Sequence, residues 1–224
     1  MHAERLAQLG QSLAEVMHDL RGPLTTISGF AELMSLELDA ENRRDFALEI
    51  QRQVERLERL SAQTLAYASG RSALLLRPVH LNVLGAEIEK LLAHELCGTG
   101  ITPSVEVSWR GTTLLDVTQV FRVVENLTRN AREAMAAGGG SHFAVAVARR
   151  GDWLVMTFTD DGPGLPQRVR EHPFEPFVSD GKPGGTGLGL QLARKIARDH
   201  GGDAALVDVT VGTCIELRLP CRLS

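Results

Sequence analysis

The sequence predicts an α+β protein: an N-terminal helical hairpin, then an α/β sandwich with helices packed on one face of a mixed sheet. Three observations carry this. Through about residue 69, apolar residues recur at spacings of three and four, the period of amphipathic helices. After Ser69-Gly70-Arg71-Ser72 the heptads stop, and glycine and β-branched residues rise. Beyond that point strand and helix patterns mix without strict βαβ order, which argues against a doubly wound parallel sheet. The expected organisation is a hairpin over residues 1–70, a linker over 71–78 and a second domain over 79–224.

In the first segment Leu6, Leu9, Leu13, Val16, Leu20, Pro23, Ile27, Phe30 and Met34 fall on one a/d seam, widened by Met17, Leu24 and Leu33. With Leu13 at position a, His18 falls at f, on the outer face, and Asp19 follows at g. Leu38-Asp39-Ala40-Glu41-Asn42 breaks the pattern, and Asp39 is placed to cap a second helix. That helix carries Phe46, Ile50, Val54, Leu57, Leu60 and Tyr67 at helical spacing. Two helices with such wide apolar faces cannot bury them alone, so a four-helix bundle made by two chains is expected.

In the second domain Leu81–Leu96 reads as a helix and Val105–Trp109 as a strand. Val117–Ala137 is a strong helix stopped by Gly138-Gly139-Gly140. Phe143–Arg149 and Trp153–Thr159 alternate as two strands around an Arg150-Gly151-Asp152 turn. Residues 160–186, rich in Gly and Pro, are expected to be irregular. Leu188–His200 reads as a helix stopped by Gly201-Gly202, and Ala205–Val209 with Cys214–Leu219 as a last strand pair.

Composition narrows the function classes. The 224 residues are 43% hydrophobic and 23% charged, with a net charge of −4, which gives no reason to expect nucleic acid as a partner. Three cysteines without CxxC spacing (Cys97, Cys214, Cys221) argue against a metal site or disulfide framework and fit a reducing compartment. No apolar run approaches the ~18 residues of a membrane span, and the N-terminus is too polar for a signal peptide. The expectation is a soluble, cytoplasmic chain with no direct membrane insertion.

Three clusters carry chemistry. Asn126 and Asn130, four apart, share one face of the long helix. Their amide oxygens are suited to Mg²⁺, or equally to holding a loop by hydrogen bonds. Thr159-Asp160-Asp161-Gly162-Pro163-Gly164 ends an apolar strand. A carboxylate there can accept from an exocyclic amine while the glycines admit a flat ring, although Asp-Gly and Pro-Gly are also plain turn signals. Gly184-Gly185-Thr186-Gly187-Leu188-Gly189-Leu190 opens a helix, where free N–H groups and the positive dipole end favour phosphate, with Lys182 just before it. Read in isolation that run is a flexible loop and a helix start. It lacks the Lys-Ser/Thr ending of a P-loop and follows no strand, as a dinucleotide fingerprint would.

In this order, behind the His18 helix, the clusters resemble the sensor histidine kinases of two-component systems. His18-Asp-Leu-Arg-Gly-Pro-Leu24 resembles the phosphoacceptor box, Asn126–Ala131 the N box, Asp160–Gly164 the G1 box, Phe174-Glu-Pro-Phe177 the F box and Gly185–Leu190 the G2 box. Gly212-Thr213 resembles a last glycine motif. Asn130-Ala-Arg-Glu-Ala-Met135 and a short lid resemble the nitrogen-regulatory branch. The resemblance covers nearly the whole chain. It implies a dimerising phosphotransfer hairpin and a Bergerat-type (GHKL) ATP-binding domain.

The resemblance also implies roles. Asp160, backed by Gly162, Gly164 and Thr213, would bind the adenine amino group. Asn130 would hold Mg²⁺, with Asn126 beside it at the phosphates. Lys182, Gly185, Thr186, Gly187, Leu188 and Gly189 would line the triphosphate, and residues 165–184 would form a mobile lid anchored by Phe174 and Phe177. His18 would attack the γ-phosphate, with Asp19 orienting the ring or taking its proton, and would pass the phosphoryl group to an aspartate of a response regulator. The first ten residues resemble a signalling helix entering from an upstream sensor domain or a separate sensor protein. Family members often carry threonine or asparagine four residues after the histidine, where it positions water to dephosphorylate the partner; here it is Gly22, which predicts weak or absent phosphatase activity.

Two other readings share these motifs. A phosphorelay histidine phosphotransferase, a docking dimer that does not use ATP, would leave Asn130, Asp160 and the glycine run eroded. A GHKL ATPase or serine kinase of another branch would have no use for a solvent-facing His-Asp on a dimerising hairpin.

Overall fold

The computed structural model describes residues 20–36, 39–68, 74–175, 178 and 188–222, which divide into a helical unit and an α/β unit. His18, Asp19, Phe177, Lys182, Gly185, Thr186 and Gly187 lie outside the described residues.

In the helical unit, helix α1 covers residues 20–33 and continues through Pro23. Helix α2 spans Ala40–Ala68. Asp39 caps it as its position suggests: one carboxylate oxygen accepts from the Asn42 backbone N–H at 2.8 Å, the other from the Asn42 side-chain amide at 2.8 Å. The predicted seam faces α2. Pro23 is buried, Leu20, Ile27 and Phe30 are half-buried, and Phe30 meets Phe46 with ring centroids 5.2 Å apart. Leu24, Leu33, Leu36, Leu48 and Val54 stay exposed.

The α/β unit opens with strand β1 (Arg77–His80), which pairs antiparallel with β3 (Thr112–Leu115). Arg77 and Pro78, read from sequence as the end of the linker, are therefore strand residues. Their partner lies more than 30 residues on, so no local pattern marks the pairing. Helix α3 (Leu81–Glu95), strand β2 (Thr102–Val107) and helix α4 (Val117–Gly138) follow. Strands β4 (His142–Arg150) and β5 (Trp153–Asp160) form a hairpin turned at Gly151, whose φ of 61° suits a residue without Cβ. Helix α5 (Gln167–Glu171) is a short element inside the stretch expected to be irregular. Helix α6 (Gly189–Asp199) leads to β6 (Asp203–Val207) and β7 (Thr213–Pro220).

The larger sheet has the order β2-β4-β5-β7-β6. The pair β2/β4 is parallel and the others are antiparallel, so the sheet is mixed. Alternate residues of its strands (Phe143, Val145 and Val147; Leu154, Met156 and Phe158; Ile215, Leu217 and Leu219) face the helices and are fully buried. They meet Leu84, Ile88 and Leu92 of α3, Val120, Val124 and Leu127 of α4, and Ala193, Ile196 and Ala197 of α6 in one core. This is the α/β sandwich expected from sequence.

One buried polar cluster fixes where α4 starts and α6 ends. Asp116 caps α4 by accepting from the Gln119 N–H at 3.2 Å, and its second oxygen accepts from the Leu75 N–H at 3.0 Å. The Asp116 N–H donates to His200 Nε2 at 3.1 Å, while His200 Nδ1 lies 2.8 Å from the Ile196 carbonyl. Together these bonds require the tautomer protonated on Nδ1.

Candidate nucleotide-binding site

Strand β5 delivers Asp160 to its C-terminal end, where inward alternation leaves the residue 7% exposed. One oxygen accepts from the Gly162 N–H at 3.0 Å and the Thr213 N–H at 3.2 Å. Burial outweighs these bonds and pushes the carboxyl above the usual carboxylate range, with the charge of Asp161 adding to the rise. Asp161 does a different job. It faces solvent and accepts from the backbone N–H groups of Ser141 (2.7 Å) and His142 (2.8 Å), which hold it below the usual range and latch the loop after α4 to the end of β5.

Glycines leave the backbone close around Asp160. Gly212 has a φ of +75°, and a Cβ there would collide with the Asp160 carbonyl. At Gly162 a Cβ would sit 2.9 Å from Met135 Cγ and 3.0 Å from Asp160 Oδ1. The predicted residues Asp160, Gly162, Gly164 and Thr213 are thus gathered at the ends of β5 and β7, with Met135 of α4 as a wall that sequence reading did not single out.

Asn126 and Asn130 lie on the face of α4 that meets the start of α6. A Cβ on Gly189 would stand 2.9 Å from Asn130 Nδ2 and 3.0 Å from Asn126 Oδ1, so a larger residue would displace the asparagine amides. Asn126, 3% exposed, donates from Nδ2 to the Gly189 carbonyl at 2.9 Å and accepts from Arg129 Nη2 at 2.7 Å. The half-exposed Asn130 amide carries no hydrogen bond among the described residues. Leu188 is buried at the N-cap position of α6. From Asn126 and Asn130 to Met135 is five to nine residues, ~7–14 Å along the α4 axis. One helix therefore borders both the carboxylate end and the helix-start end of the site.

Phe174 packs against the core beneath Arg194, whose guanidinium carbon is 5.0 Å from the ring centroid. A cleft of about 620 Å³ beside it, lined by Arg170, Phe174, Arg194, Asp203, Glu216 and Arg218, contains none of the residues predicted to touch nucleotide or metal. Its arginines are already paired: Arg170 with Asp208 at 2.8 Å, Arg194 with Asp203 at 2.8 Å, and Arg218 with Glu216. It therefore offers little unpaired charge to a ligand.

A mixed five-stranded sheet covered on one face by helices, with a buried Asp ending an inner strand, defines a two-layer α/β sandwich. The family model for "Histidine kinase-, DNA gyrase B-, and HSP90-like ATPase" matches residues 115–223, and that for "His Kinase A (phospho-acceptor) domain" matches residues 8–73. The chain belongs to the histidine kinases.

Among curated relatives, Sporulation kinase C of Bacillus subtilis is 27% identical over 98% of this chain and 52% of its own length. Sensory histidine kinase/phosphatase NtrB of Rhodobacter capsulatus is 31% identical over 93% of this chain and 61% of its own. Among solved structures, histidine kinase ThkA in complex with the response regulator protein TrrA aligns over 98% of this chain and 64% of its own, at a TM-score of 0.79 and 26% identity. The chain spans about half or less of the first three curated relatives, 52%, 33% and 44% of their lengths. No helix among the described residues is long and apolar enough to cross a membrane.

Proposed function

We propose that the chain autophosphorylates on His18 with ATP and passes the phosphoryl group to an aspartate of a response-regulator receiver domain. The observation that carries this is the pairing of a buried, glycine-backed carboxylate at Asp160 with the Asn130–Gly189 junction, in a chain whose first part matches a phosphoacceptor domain. Asp160 accepts from the adenine amino group, and the missing Cβ at Gly162 leaves room for the ring. Thr213 holds the carboxylate by its backbone N–H, and Gly164 continues the same turn. The first turn of α6, with Leu188 and Gly189, turns N–H groups to the phosphates. Lys182, Gly185, Thr186 and Gly187, which lie outside the described residues, are assigned to the triphosphate on their motif alone.

Asn130 supplies a hard amide oxygen suited to Mg²⁺, and its lack of any protein partner among the described residues fits that use. Bound there, the ion would neutralise charge developing on the phosphates. A ring nitrogen of His18 attacks the γ-phosphorus, forming the N–P bond as the bond to the ADP oxygen breaks. The departing ring proton goes to Asp19. The functional division is a phosphotransfer hairpin over residues 1–70, a linker that ends before strand β1 begins at Arg77, and an ATP-binding domain from β1 onward. The exposed Leu24, Leu33, Leu48 and Val54 support a homodimeric four-helix bundle. ThkA, solved with its response regulator, supports the choice of partner. An upstream sensor domain or protein supplies the signal, and the cytoplasm is the compartment such transfer needs.

The test is incubation with γ-labelled ATP and Mg²⁺. Acid-labile, base-stable label should appear on the chain and vanish in His18→Ala. Label that persists in the variant would overturn the assignment of His18. An unlabelled wild type that accepts label from a phosphorylated regulator would make the chain an ATP-independent phosphotransferase.

A further inference from the structure

We infer that Arg129 is a positioning residue for phosphoryl transfer: it sets the amide of Asn126 and, through that amide, holds the first turn of α6 against α4. The inference rests on the kinase reading above and adds a residue to it. Arg129 lies between the two asparagines, and its side chain is only 24% exposed. Its Nη2 donates to Asn126 Oδ1 at 2.7 Å, and its Nε stands 3.9 Å from Glu133 Oε1. Asn126 Nδ2 donates to the Gly189 carbonyl at 2.9 Å.

The donor and acceptor inventory leaves no freedom here. A guanidinium only donates and a carbonyl only accepts, so a single orientation of the Asn126 amide satisfies both neighbours. Flipping that amide would put a donor against the guanidinium and an acceptor against the carbonyl. Arg129 thereby selects the orientation in which Asn126 grips α6. The grip acts at the residue whose missing Cβ lets α6 reach Asn130, so it sets how the helix start faces the bound phosphates. Asn126 is buried at 3% exposure with both ends of its amide engaged, so its part is to hold α6, while Asn130, without a hydrogen bond among the described residues, is the amide left for the metal.

Two measurements on the full chain test this. In the nucleotide-free protein, Arg129→Met should raise hydrogen exchange at the Asn126 side-chain amide, and Arg129→Lys, which can still donate, should leave it protected. In the labelling assay, Arg129→Met and Asn126→Ala should each lower kcat/KM by about tenfold to a hundredfold, the range for one lost hydrogen bond to a charged group. The double variant should lose no more than either single one, because both break the same relay. Arg129→Lys should retain most of the activity. Losses that multiply would mean that Arg129 acts on the nucleotide independently of Asn126, and would overturn the inference. So would an Asn126 amide that stays protected in Arg129→Met. A wild type that takes no label would defeat the kinase reading instead, and the exchange comparison would still decide the relay.

Discussion

The hairpin and the α/β unit bury their apolar side chains to very different extents. In the α/β unit Leu81, Leu115, Phe143, Met156 and Leu217 are at most 1% exposed. In the hairpin Leu24, Leu33, Leu36, Leu48 and Val54 are 41% to 59% exposed, and Phe30 and Phe46 are only half-buried. The α/β unit closes its core within one chain because a sheet and three helices offer two complementary layers. A pair of helices has no second layer to give, so its remaining apolar face calls for another copy. One unit is complete as folded. The other leaves an apolar stripe uncovered among the described residues, which the proposed homodimer would cover.

The sharpest way to break this comparison is to remove one large side chain from each unit. Phe143→Ala should cost ~3–5 kcal/mol, the range for an aromatic lost from a closed core. Phe46→Ala should cost less at low concentration, ~0.5–1.5 kcal/mol beyond its small buried area for the lost contact with Phe30. The hairpin's melting temperature should rise with protein concentration, as linkage to dimerisation requires, and that of the α/β unit should not. Thermal unfolding over a hundredfold range of concentration checks both. Equal costs, with no concentration dependence in either transition, would mean that the hairpin is self-sufficient.

Asp160→Asn separates stability from binding within the closed unit. The buried charge is a cost to folding, so the variant should melt at or above the wild-type temperature at pH 8. Its oxygen can still accept from Gly162 and Thr213. ATP affinity should fall about tenfold to a hundredfold, the range for loss of a charged acceptor. Calorimetric titration with ATP reads the second effect, and a variant that binds normally would remove Asp160 from the site.

The pH dependence of the wild type carries the same logic. The Asp160 carboxyl is raised by burial, and adenine recognition needs the ionised form. ATP affinity should therefore weaken as pH falls through that raised value, approaching tenfold per pH unit below it. The stability contribution runs the other way. A raised acid favours the folded state below its unfolded value, ~3.9, and loses that advantage as pH rises through the folded value. Both slopes should flatten in Asp160→Asn.

What was legible in the sequence followed from local period. The helix over 117–138 and the hairpin over 142–160 were read to within two residues, because 3.6- and 2-residue patterns are written into neighbouring positions. The β1/β3 pair was not, since Arg77-Pro78 looks like linker until Leu115 and Leu114 lie beside it. Helix α5 hid among prolines and glycines that announce irregular chain. In the site, two asparagines four apart pointed to a shared face, and the glycine run pointed to a helix start. Nothing in that spacing says that residue 189 presents its carbonyl to Asn126, or that Arg129 occupies the other end of the same amide. The first joins segments some 60 residues apart and forms only when α4 and α6 pack; the second lies within one turn of α4, but i,i+3 spacing alone does not say which side chain an arginine will choose.

The smallest expected effect lies in the hairpin, at Gly22. It sits in α1 with nothing within 4 Å of where a Cβ would be, so a threonine fits without displacing a neighbour. Thr25 and Thr26 already bond back to the carbonyls of Arg21 and Gly22, so the helix tolerates threonine in this turn. Gly22→Thr should stabilise α1 by a few tenths of a kcal/mol, the approximate difference between the two residues in helix propensity. It also places a hydroxyl four residues after His18, where water could be held against a phosphorylated regulator. We expect the wild type to dephosphorylate its regulator weakly and Gly22→Thr to raise that rate by about tenfold or more, below the ~100-fold and upward range of a fully positioned acid–base group. Loss of label from phosphorylated regulator with time measures it. A wild type that strips the label briskly would show that the hairpin removes water's barrier without a side chain at this position, and would end the assignment of that task to residue 22.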